Sequence, residues 1–280
     1  MPATYTPIRY PGGKTKIYPL VDAILERNGL IGSTYAEAYC GGAGLAIKLL
    51  LNNRVSRIVL NDIDPAVYSI WHAILNNSAE LCEFIESVPL TIDEWKRQRD
   101  TLQSEESPSF ELGKAAFYLN RTNRSGILRG GPIGGLSQSG KYRINARFNR
   151  EALCNKVNKI AERSCCIDLY NMDAIDFINR ILMETPNLFV NFDPPYVEKG
   201  PGLYHNAYTM HDHFLVADAI RKCAFPWIVT YDDSEQIRAL YQGQYMGKIK
   251  LGYSAAVHKT GSELMIFSDL VLPSEGIEAI

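Results

Sequence analysis

Apolar and polar positions follow two different periods along this chain, and their order predicts the type of sheet. Short apolar runs of about four to eight residues predict buried strands. We place these at residues 34–39, 57–61, 165–170, 188–192 and 227–231. Helical periodicity follows most of them, at residues 45–51, 66–75, 174–183, 211–224 and 234–241. Strands that alternate with helices favour an α/β fold with a mostly parallel sheet and helices on both faces.

Two parts of the chain depart from this alternation. Two further strands, near residues 248–253 and 263–269, have no helix between them, which predicts an antiparallel hairpin at a sheet edge. Residues 69–164 are mostly helix-prone, but their stretch 126–140 holds six glycines and a proline. We interpret residues 69–164 as a mainly helical insertion between two halves of one α/β domain, residues 1–68 and 165–280.

The composition is typical of a soluble globular protein. Of the 280 residues, 46% are hydrophobic and 21% are charged, which excludes a disordered chain. We find no apolar run of about 18 residues and therefore expect no membrane span, and the N-terminal residues lack the pattern of a secretory signal. The six cysteines form no Cys-x-x-Cys pair, so neither a zinc site nor a disulfide framework is predicted. We expect a cytoplasmic protein without a bound metal.

Charge is distributed unevenly along the chain, although the net charge is only −2. Residues 112–164 contain eleven Lys and Arg but two Glu, a charge of +9, whereas the remainder carries 18 basic and 29 acidic residues, a charge of −11. A basic segment of this kind indicates an anionic partner. A solvated basic face is the alternative explanation.

A glycine-rich turn follows the first predicted strand. This glycine turn consists of Gly41, Gly42, Ala43 and Gly44, and a helix is predicted directly after it. Glycines there allow a ligand to approach the backbone closely, and a ribose-binding acidic residue is expected about 20 residues further on, at the end of the next strand. Asp62 occupies that position. A tight strand–helix turn without a ligand remains an alternative.

The run Asp193-Pro194-Pro195-Tyr196 ends the fourth predicted strand and is the more specific signal. The two prolines have no backbone N–H and a fixed φ angle, so nearby carbonyl groups are free to accept hydrogen bonds from a ligand. Asp193 adds a carboxylate acceptor and Tyr196 adds an aromatic face. Such a set suits an exocyclic amino group on a flat ring. A rigid turn that ends a strand is the alternative.

These motifs resemble those of the S-adenosylmethionine-dependent DNA adenine-N6 methyltransferases, and more narrowly those of the Dam-type (D12) group. The resemblance extends over nearly the whole chain in the family's motif order; further matching motifs are residues 10–14, 60–64, 119–126, 230–233 and 261–264. The chain departs from the family at Ala38 and Tyr39, where Pro and Phe are frequent, and at Arg124 and Ser125, where Phe and Asn are frequent. The second departure concerns the DNA sequence preference rather than the chemistry.

The resemblance implies a Rossmann-like class I methyltransferase domain, with an inserted DNA-recognition domain, that uses S-adenosylmethionine. The residues it implies for cofactor binding are Tyr10, Lys14, Tyr39, Gly41, Gly42, Gly44, Asp62, Asp173 and Asp193. The glycine turn would border the methionine part, Asp62 would bind the ribose hydroxyls, and Asp173 would accept a hydrogen bond from the adenine amino group. Tyr10 and Lys14 would close the cofactor pocket. An N-cap of the following helix explains Asp173 equally well.

The resemblance also implies that Asp193, Pro194 and Tyr196 are catalytic. The target adenine must leave the duplex to be reached, and Tyr196 would stack on the extruded base. Asp193 and the Pro194 carbonyl would accept its two N–H groups, and the carboxylate would stabilise the positive charge that develops on N6. Tyr204, His205 and Tyr208 follow this loop and are predicted to form a flap over the base.

Double-stranded DNA is the predicted partner. The candidate DNA contacts are Arg121, Asn123, Arg124, Arg129, Lys141, Arg143 and Arg147. The first three are assigned by resemblance to base-edge or intercalating roles, and the others to phosphate contacts. We expect a monomer or a weak dimer. His211 and His213 have no further ligand residue nearby and are interpreted as surface residues at a helix start.

Three other functions remain open at this point. The enzyme could methylate another amino group, such as cytosine N4, RNA adenine or a protein glutamine. Related enzymes that methylate such other amino groups often have Ser or Asn where this chain has Asp193. The aspartate therefore favours adenine as the target. The chain could instead be a DNA-binding protein that kept the fold without catalysis. A phosphate-binding P-loop around Lys14 is disfavoured, because Ile8 stands where that motif requires glycine.

Overall fold

The computed structural model describes residues 5–197, 208–254 and 258–279, and these contain one sheet of eight strands. The strands are β1 (Thr34–Glu37), β2 (Arg57–Asn61), β3 (Ile167–Tyr170), β4 (Leu188–Phe192), β5 (Trp227–Tyr231), β6 (Tyr245–Ser254), β7 (His258–Phe267) and β8 (Glu278–Ala279). Their spatial order is β3-β2-β1-β4-β5-β7-β6-β8. The first five are parallel to one another and the last three pair antiparallel. The predicted mostly parallel α/β fold is confirmed.

Helices lie on both faces of the sheet. Within the described ranges they are α1 (Tyr18–Arg27), α2 (Gly44–Leu51), α3 (Pro65–Asn76), α4 (Ser78–Ser87), α5 (Ile92–Ser104), α6 (Phe110–Thr122), α7 (Arg150–Ala161), α8 (Ala174–Arg180), α9 (Met210–Arg221) and α10 (Glu235–Leu240). Alternate residues of β1 belong to different cores: Tyr35 packs with α1 to α7, whereas Ala36 packs with α8 to α10. This division follows from the two-residue period of a strand.

The predicted boundaries need small corrections. The helix predicted for residues 174–183 ends at Arg180, and a 3-10 turn, Leu182–Glu184, follows it. The strand predicted from residue 165 begins at Ile167, because Ser164–Cys166 form another 3-10 turn. The final hairpin is confirmed as antiparallel, but β7 lies inside the sheet, between β5 and β6, and the short β8 pairs outside β6. Hydrophobic periodicity finds elements well but leaves their ends uncertain.

Five helices and a long loop separate β2 from β3 along the chain. The first of them, α3, packs closely on α6: a Cβ added at Gly113 would lie 2.5 Å from the Ser69 carbonyl oxygen. Phe117 of α6 and Ile58 of β2 belong to the same hydrophobic core. The predicted boundary between residues 68 and 69 falls within α3, and the division into domains stays a prediction.

The sheet topology brings several loops together at one edge. Strand β1 pairs with β2 on one side and with β4 on the other, so the chain reverses its direction of progress across the sheet at β1. Ligands of open α/β sheets bind at such a switch point, beyond the carboxyl ends of the strands. The segments after β1, β2 and β4 therefore lie where a ligand site is expected. Among the helices described, none is long and apolar enough to cross a membrane.

Candidate active site

The glycine turn and Asp62 are in direct contact. The backbone N–H of Gly41 donates to Asp62 Oδ2 at 2.9 Å, and the N–H of Asp64 donates to Oδ1 at 3.0 Å. The Asp62 carboxyl is buried, and this burial raises its pKa to about 7, while the two N–H donors act in the opposite direction. Each carboxylate oxygen keeps a second lone pair for a ligand hydroxyl.

The N-terminal segment packs directly against the glycine turn. A Cβ added at Gly41 would lie 2.8 Å from the Tyr10 ring, and one added at Gly44 would overlap Thr15 Oγ1. Gly41 also has a φ of +43°, and its carbonyl accepts a hydrogen bond from Trp71 Nε1 at 2.8 Å. The sequence explained these glycines by the approach of a ligand. In the structure, Gly41 and Gly44 are needed for contact with the chain's own N-terminal residues.

Glu37, the last residue of β1, is a buried acid that the sequence analysis missed. Its Oε1 accepts hydrogen bonds from Tyr35 Oη at 3.1 Å and from the N–H of Ala46 at 3.2 Å. Burial raises the pKa of Glu37 to about 8, so the carboxyl is mostly protonated at neutral pH. The signal that could have identified it is an acidic residue at the end of an otherwise apolar strand.

Asp193 follows β4 and is held on both oxygens. Thr230 of β5 donates to Oδ1 at 2.7 Å, and the Lys14 ammonium lies 3.0 Å from Oδ2. The side chain is still 22% exposed. Burial raises the pKa of Asp193, although Lys14 counteracts it. At the other end of the loop, the Val197 N–H donates to Asp232 Oδ1 at 3.1 Å, so the proline-containing loop is fixed at one end to β5 and at the other to the residue that follows β5.

Lys14 lies at the Asp193 loop and is buried, with a relative exposure of 6%. Its Nζ donates to Tyr196 Oη at 2.8 Å and to the Gly12 carbonyl at 3.2 Å, and it forms ion pairs with Asp193 and, at 3.3 Å, with Glu263 of β7. Burial alone would lower the pKa of Lys14, but the two carboxylates outweigh it and the pKa is raised. The sequence predicted Lys14 beside the cofactor and did not link it to these groups.

Tyr196 is largely enclosed. It is 8% exposed, its ring centroid lies 6.3 Å from that of Tyr231, and the Lys14 ammonium lies 5.2 Å from its centroid. Pro194 is also buried. The hydroxyl of Tyr196 accepts a hydrogen bond from the Lys14 ammonium, which also contacts the Asp193 carboxylate. One ammonium group thus links Tyr196 to Asp193. The stacking role of Tyr196 stays a prediction.

Two further cofactor candidates, Tyr39 and Asp173, follow β1 and β3. The Tyr39 hydroxyl lies 3.1 Å from that of Tyr208, where either group can donate. Asp173 is exposed and caps α8, because its Oδ1 accepts from the N–H of Ile175 at 2.8 Å. The cap is therefore present, and a ligand contact by the exposed carboxylate stays a prediction. Tyr204 and His205 of the predicted flap lie outside the described residues.

The seven DNA-contact candidates divide into two groups. Five have exposed side chains; they are Arg124, Arg129, Lys141, Arg143 and Arg147. Asn123 is fully buried: its Oδ1 accepts from Trp95 Nε1 and its Nδ2 donates to the carbonyls of Ile127 and Leu128. These bonds occupy the amide, so the structure gives Asn123 a role in folding the loop and not the predicted base contact.

Arg121 also acts inside the protein. Its guanidinium donates to the Arg147 carbonyl and, at 3.1 Å, to the Pro7 carbonyl, and burial lowers its pKa to about 10. Next to it, Asn120 pairs with the backbone of Arg9 in both directions, at 2.8 and 2.7 Å. The start of the basic segment is thereby fixed to the N-terminal residues that reach Lys14. The sequence analysis gave Arg121 to DNA and did not single out Asn120.

His213 corrects one further prediction. It is 1% exposed, and its Nδ1 lies 3.0 Å from Tyr231 Oη, so it is a core residue of α9 and not a surface residue. A histidine among apolar positions at helical spacing carries no sequence signal that distinguishes it from an exposed one. In the described ranges, no three His, Cys, Asp or Glu side chains are grouped as they would be in a metal site.

The strand order, together with a glycine turn, a buried acid after β2 and an Asp-Pro-Pro-Tyr loop after β4, defines a Rossmann-like methyltransferase. Comparison with protein-family models gives the particular family. The model of the D12 class N6 adenine-specific DNA methyltransferases matches residues 10–254. The chain belongs to this family and is an enzyme that methylates the N6 position of adenine in DNA.

Comparisons with individual proteins add little to this result. Among solved structures, the rRNA methyltransferase aviRa from Streptomyces viridochromogenes is 14% identical, with a TM-score of 0.41 over 92% of this chain and 85% of that one. A conserved hypothetical protein from Streptococcus pyogenes is 10% identical, with a TM-score of 0.34 over 85% of this chain and 88% of that one. A search of curated proteins found no match.

Proposed function

We propose that the enzyme transfers the methyl group of S-adenosylmethionine to an adenine that has been turned out of double-stranded DNA. The observation that carries this proposal is the position of the partly exposed Asp193 carboxylate. It follows β4, the strand next to β1, whose glycine turn contacts Asp62. A donor site and an acceptor site thus adjoin each other at the switch point of the sheet.

The residues after β1 and β2 fit S-adenosylmethionine. Asp62 offers a buried acceptor for two neighbouring hydroxyl groups, and its two backbone N–H donors hold it in place. We assign the aromatic walls of this donor site to Tyr10, which packs on Gly41, and to Tyr39. We assign its border to Gly42, Gly44 and the exposed Asp173. The bound donor would supply an electrophilic methylsulfonium group. We therefore retain every predicted cofactor residue except Lys14 and Asp193, which we assign to the target side.

The Asp193 loop fits the amino group of the target base. Asp193 and the Pro194 carbonyl accept its two N–H groups and orient the nitrogen towards the methyl group. Positive charge develops on the nitrogen during transfer, and the fixed carboxylate stabilises that charge without having to reorganise. Tyr196 contributes an aromatic edge beside the base.

The five exposed basic residues between Arg124 and Arg147 fit the phosphates of duplex DNA. Arg121 and Asn123 are left out of this interface because of the internal bonds described above. Turning a base out of the stack costs a few kcal/mol, and contacts to the phosphates and to the extruded base offset that cost. We further infer a cytoplasmic protein that acts as a monomer or a weak dimer.

A single labelling experiment tests this proposal. Duplex DNA is incubated with methyl-labelled S-adenosylmethionine and digested to nucleosides, and all label should appear in N6-methyladenine. Label in cytosine, in RNA or in glutamine would support one of the other amino targets, and tight DNA binding without label would indicate a non-catalytic protein.

The catalytic assignment is tested by D193A. This variant should lose about a hundredfold to a thousandfold in turnover, the range found for removing one transition-state stabilising group, while it keeps its affinity for the donor. The matched control is D218N, which changes a partly exposed aspartate on α9. An active D193A protein would contradict the mechanism.

A further inference from the structure

Glu263 is a buried acid that the proposed reaction does not use. It lies on β7, two strands away from β4, and it is 1% exposed. Its Oε2 lies 3.3 Å from the ammonium of Lys14, whose other carboxylate partner is Asp193 at 3.0 Å. Glu263 is too enclosed to reach DNA or the methyl donor from the surface, and its ion pair with Lys14 connects it to the Asp193 loop.

A second buried carboxylate needs a physical reason, because burying a charge costs free energy unless that charge is well paired. Lys14 has three N–H donors and four acceptors near it: the Gly12 carbonyl, Tyr196 Oη, Asp193 and Glu263. The ammonium already contacts Asp193 Oδ2, and with Asp193 as its only charged partner it would be drawn further towards that carboxylate. Glu263 attracts the ammonium from the side of β7 and so holds it between the two carboxylates.

The consequence concerns the geometry of the target site. Thr230 fixes one oxygen of Asp193, and Lys14 fixes the other as well as the hydroxyl of Tyr196. The position of a single ammonium group therefore sets both the acceptor and the aromatic ring that face the base. A flexible lysine side chain keeps one position only where its partners hold it from more than one side.

We propose that Glu263 is a positioning residue for methyl transfer, which holds the Lys14 ammonium between β4 and β7 and so fixes Asp193 and Tyr196 towards the target base. This proposal rests on the proposed function. It predicts a defect in turnover without a defect in binding of the methyl donor, because the contacts described above join Lys14 to Gly12, Tyr196, Asp193 and Glu263 rather than to Asp62.

The first test does not depend on activity. The rate at which a small acylating reagent modifies Lys14 is followed by peptide mass spectrometry across a range of pH. In E263Q, modification at a given pH should be about tenfold faster, because loss of the carboxylate releases the ammonium and favours its neutral form. E263D should lie between E263Q and the wild type. The control is D269N, an exposed aspartate shortly after β7, which should leave the rate unchanged.

The second test measures turnover. E263Q should lower kcat by about tenfold or more and shift the pH profile of kcat, leave the KM for the donor unchanged, and have no further effect in a K14M background. Thermal unfolding shows which variants are folded. If E263Q does not fold, E263D is used in its place. The role of Glu263 is overturned if E263Q leaves the rate of Lys14 modification unchanged. It is also overturned if E263Q lowers kcat further in the K14M background. A wild-type protein that methylates no adenine overturns the proposed function instead.

Discussion

Two carboxyl groups at the ends of neighbouring strands titrate near neutral pH because each is buried. Asp62 has a pKa of about 7 and Glu37 a pKa of about 8. Both face backbone N–H groups at the glycine turn or at the start of α2, yet desolvation exceeds the effect of these donors. The charge of the donor site therefore depends on pH in the range where the enzyme would be assayed.

The first prediction concerns binding of the methyl donor at Asp62. Below a pH of about 7 the carboxyl carries a proton and loses acceptor capacity, so the affinity for S-adenosylmethionine should increase as the pH rises from about 6 to about 8, by up to about tenfold. Isothermal titration calorimetry measures this. D62N should bind weakly at every pH, and an equal pH dependence in D62N would show that another group titrates.

The second prediction concerns stability and Glu37. Its pKa is raised in the folded state, so its stabilising contribution is complete below a pH of about 4.5 and is lost as the pH rises towards about 8. E37Q removes this loss and can keep both hydrogen bonds to Oε1. It should unfold at a higher temperature than the wild type at pH 8, by about 2–4 °C for each kcal/mol gained, with a smaller difference at pH 5. An equal difference in unfolding temperature between E37Q and the wild type at both pH values would contradict the raised pKa of Glu37.

At the scale of elements, the connection between β1 and α2 also positions the N-terminal segment. Gly44 begins α2 and faces Thr15, one residue after Lys14. The helix start, the glycine turn and the Lys14 ammonium are thus linked by direct packing. A substitution in the glycine turn is therefore expected to move the Lys14 ammonium, which contacts Asp193 and Tyr196.

The third prediction tests that link with G44A. The added methyl group would overlap Thr15 Oγ1, so the variant should lose about 1–3 kcal/mol of unfolding free energy and also lose activity. Denaturant unfolding measures the first effect. The double variant G44A/T15A removes the obstructing hydroxyl and should recover most of the stability. G131A, at a glycine with open space around it, is the control, and a loss as large as that of G44A would refute the packing argument.

At the scale of the whole molecule, basic residues of the segment 112–164 are exposed on the surface of the protein. Several exposed cations lie in a segment whose first residues are bonded to Arg9 through Asn120. In the same segment Leu136 and Tyr142 are 62% and 60% exposed, more than any other large hydrophobic side chain among the described residues. The Gln138 side chain hydrogen-bonds to the backbone of Ile133, Gly135 and Ile144. These bonds fix the backbone of the loop that carries Lys141 and Arg143.

The fourth prediction concerns binding of DNA by this surface. K141A/R143A should weaken duplex binding to a similar extent for all sequences, because phosphate contacts carry no base information. The slope of log affinity against log salt concentration should become shallower by about 0.9 for each phosphate that the variant no longer neutralises. Fluorescence anisotropy at several salt concentrations measures both. K222A, which removes an exposed lysine after α9, is the control, and an unchanged slope in K141A/R143A would remove these two residues from the interface.

The amino-acid sequence by itself determined most of the elements and the local motifs of this protein, although α1 and the short β8 were not predicted. Periodicity and turn residues are local properties, so the five parallel strands, the helices between them and the glycine turn were predicted with only their ends in error. The spacing after the glycine turn predicted Asp62 as a ribose-binding acid, and that role stays a prediction. Its contact with Gly41 came from the structure.

Only the tertiary structure decided which side chains meet across distant parts of the chain. Lys14, Asp193 and Glu263 are far apart in sequence and meet because β4 and β7 flank β5 while the N-terminal segment packs over the glycine turn. Burial likewise assigned Asn123 and His213 to the interior, against their predicted places on the surface. The same polar residue type occurs both in buried hydrogen-bond networks and at the surface. Which of the two applies depends on the neighbouring residues in the folded chain, some of which are distant in sequence.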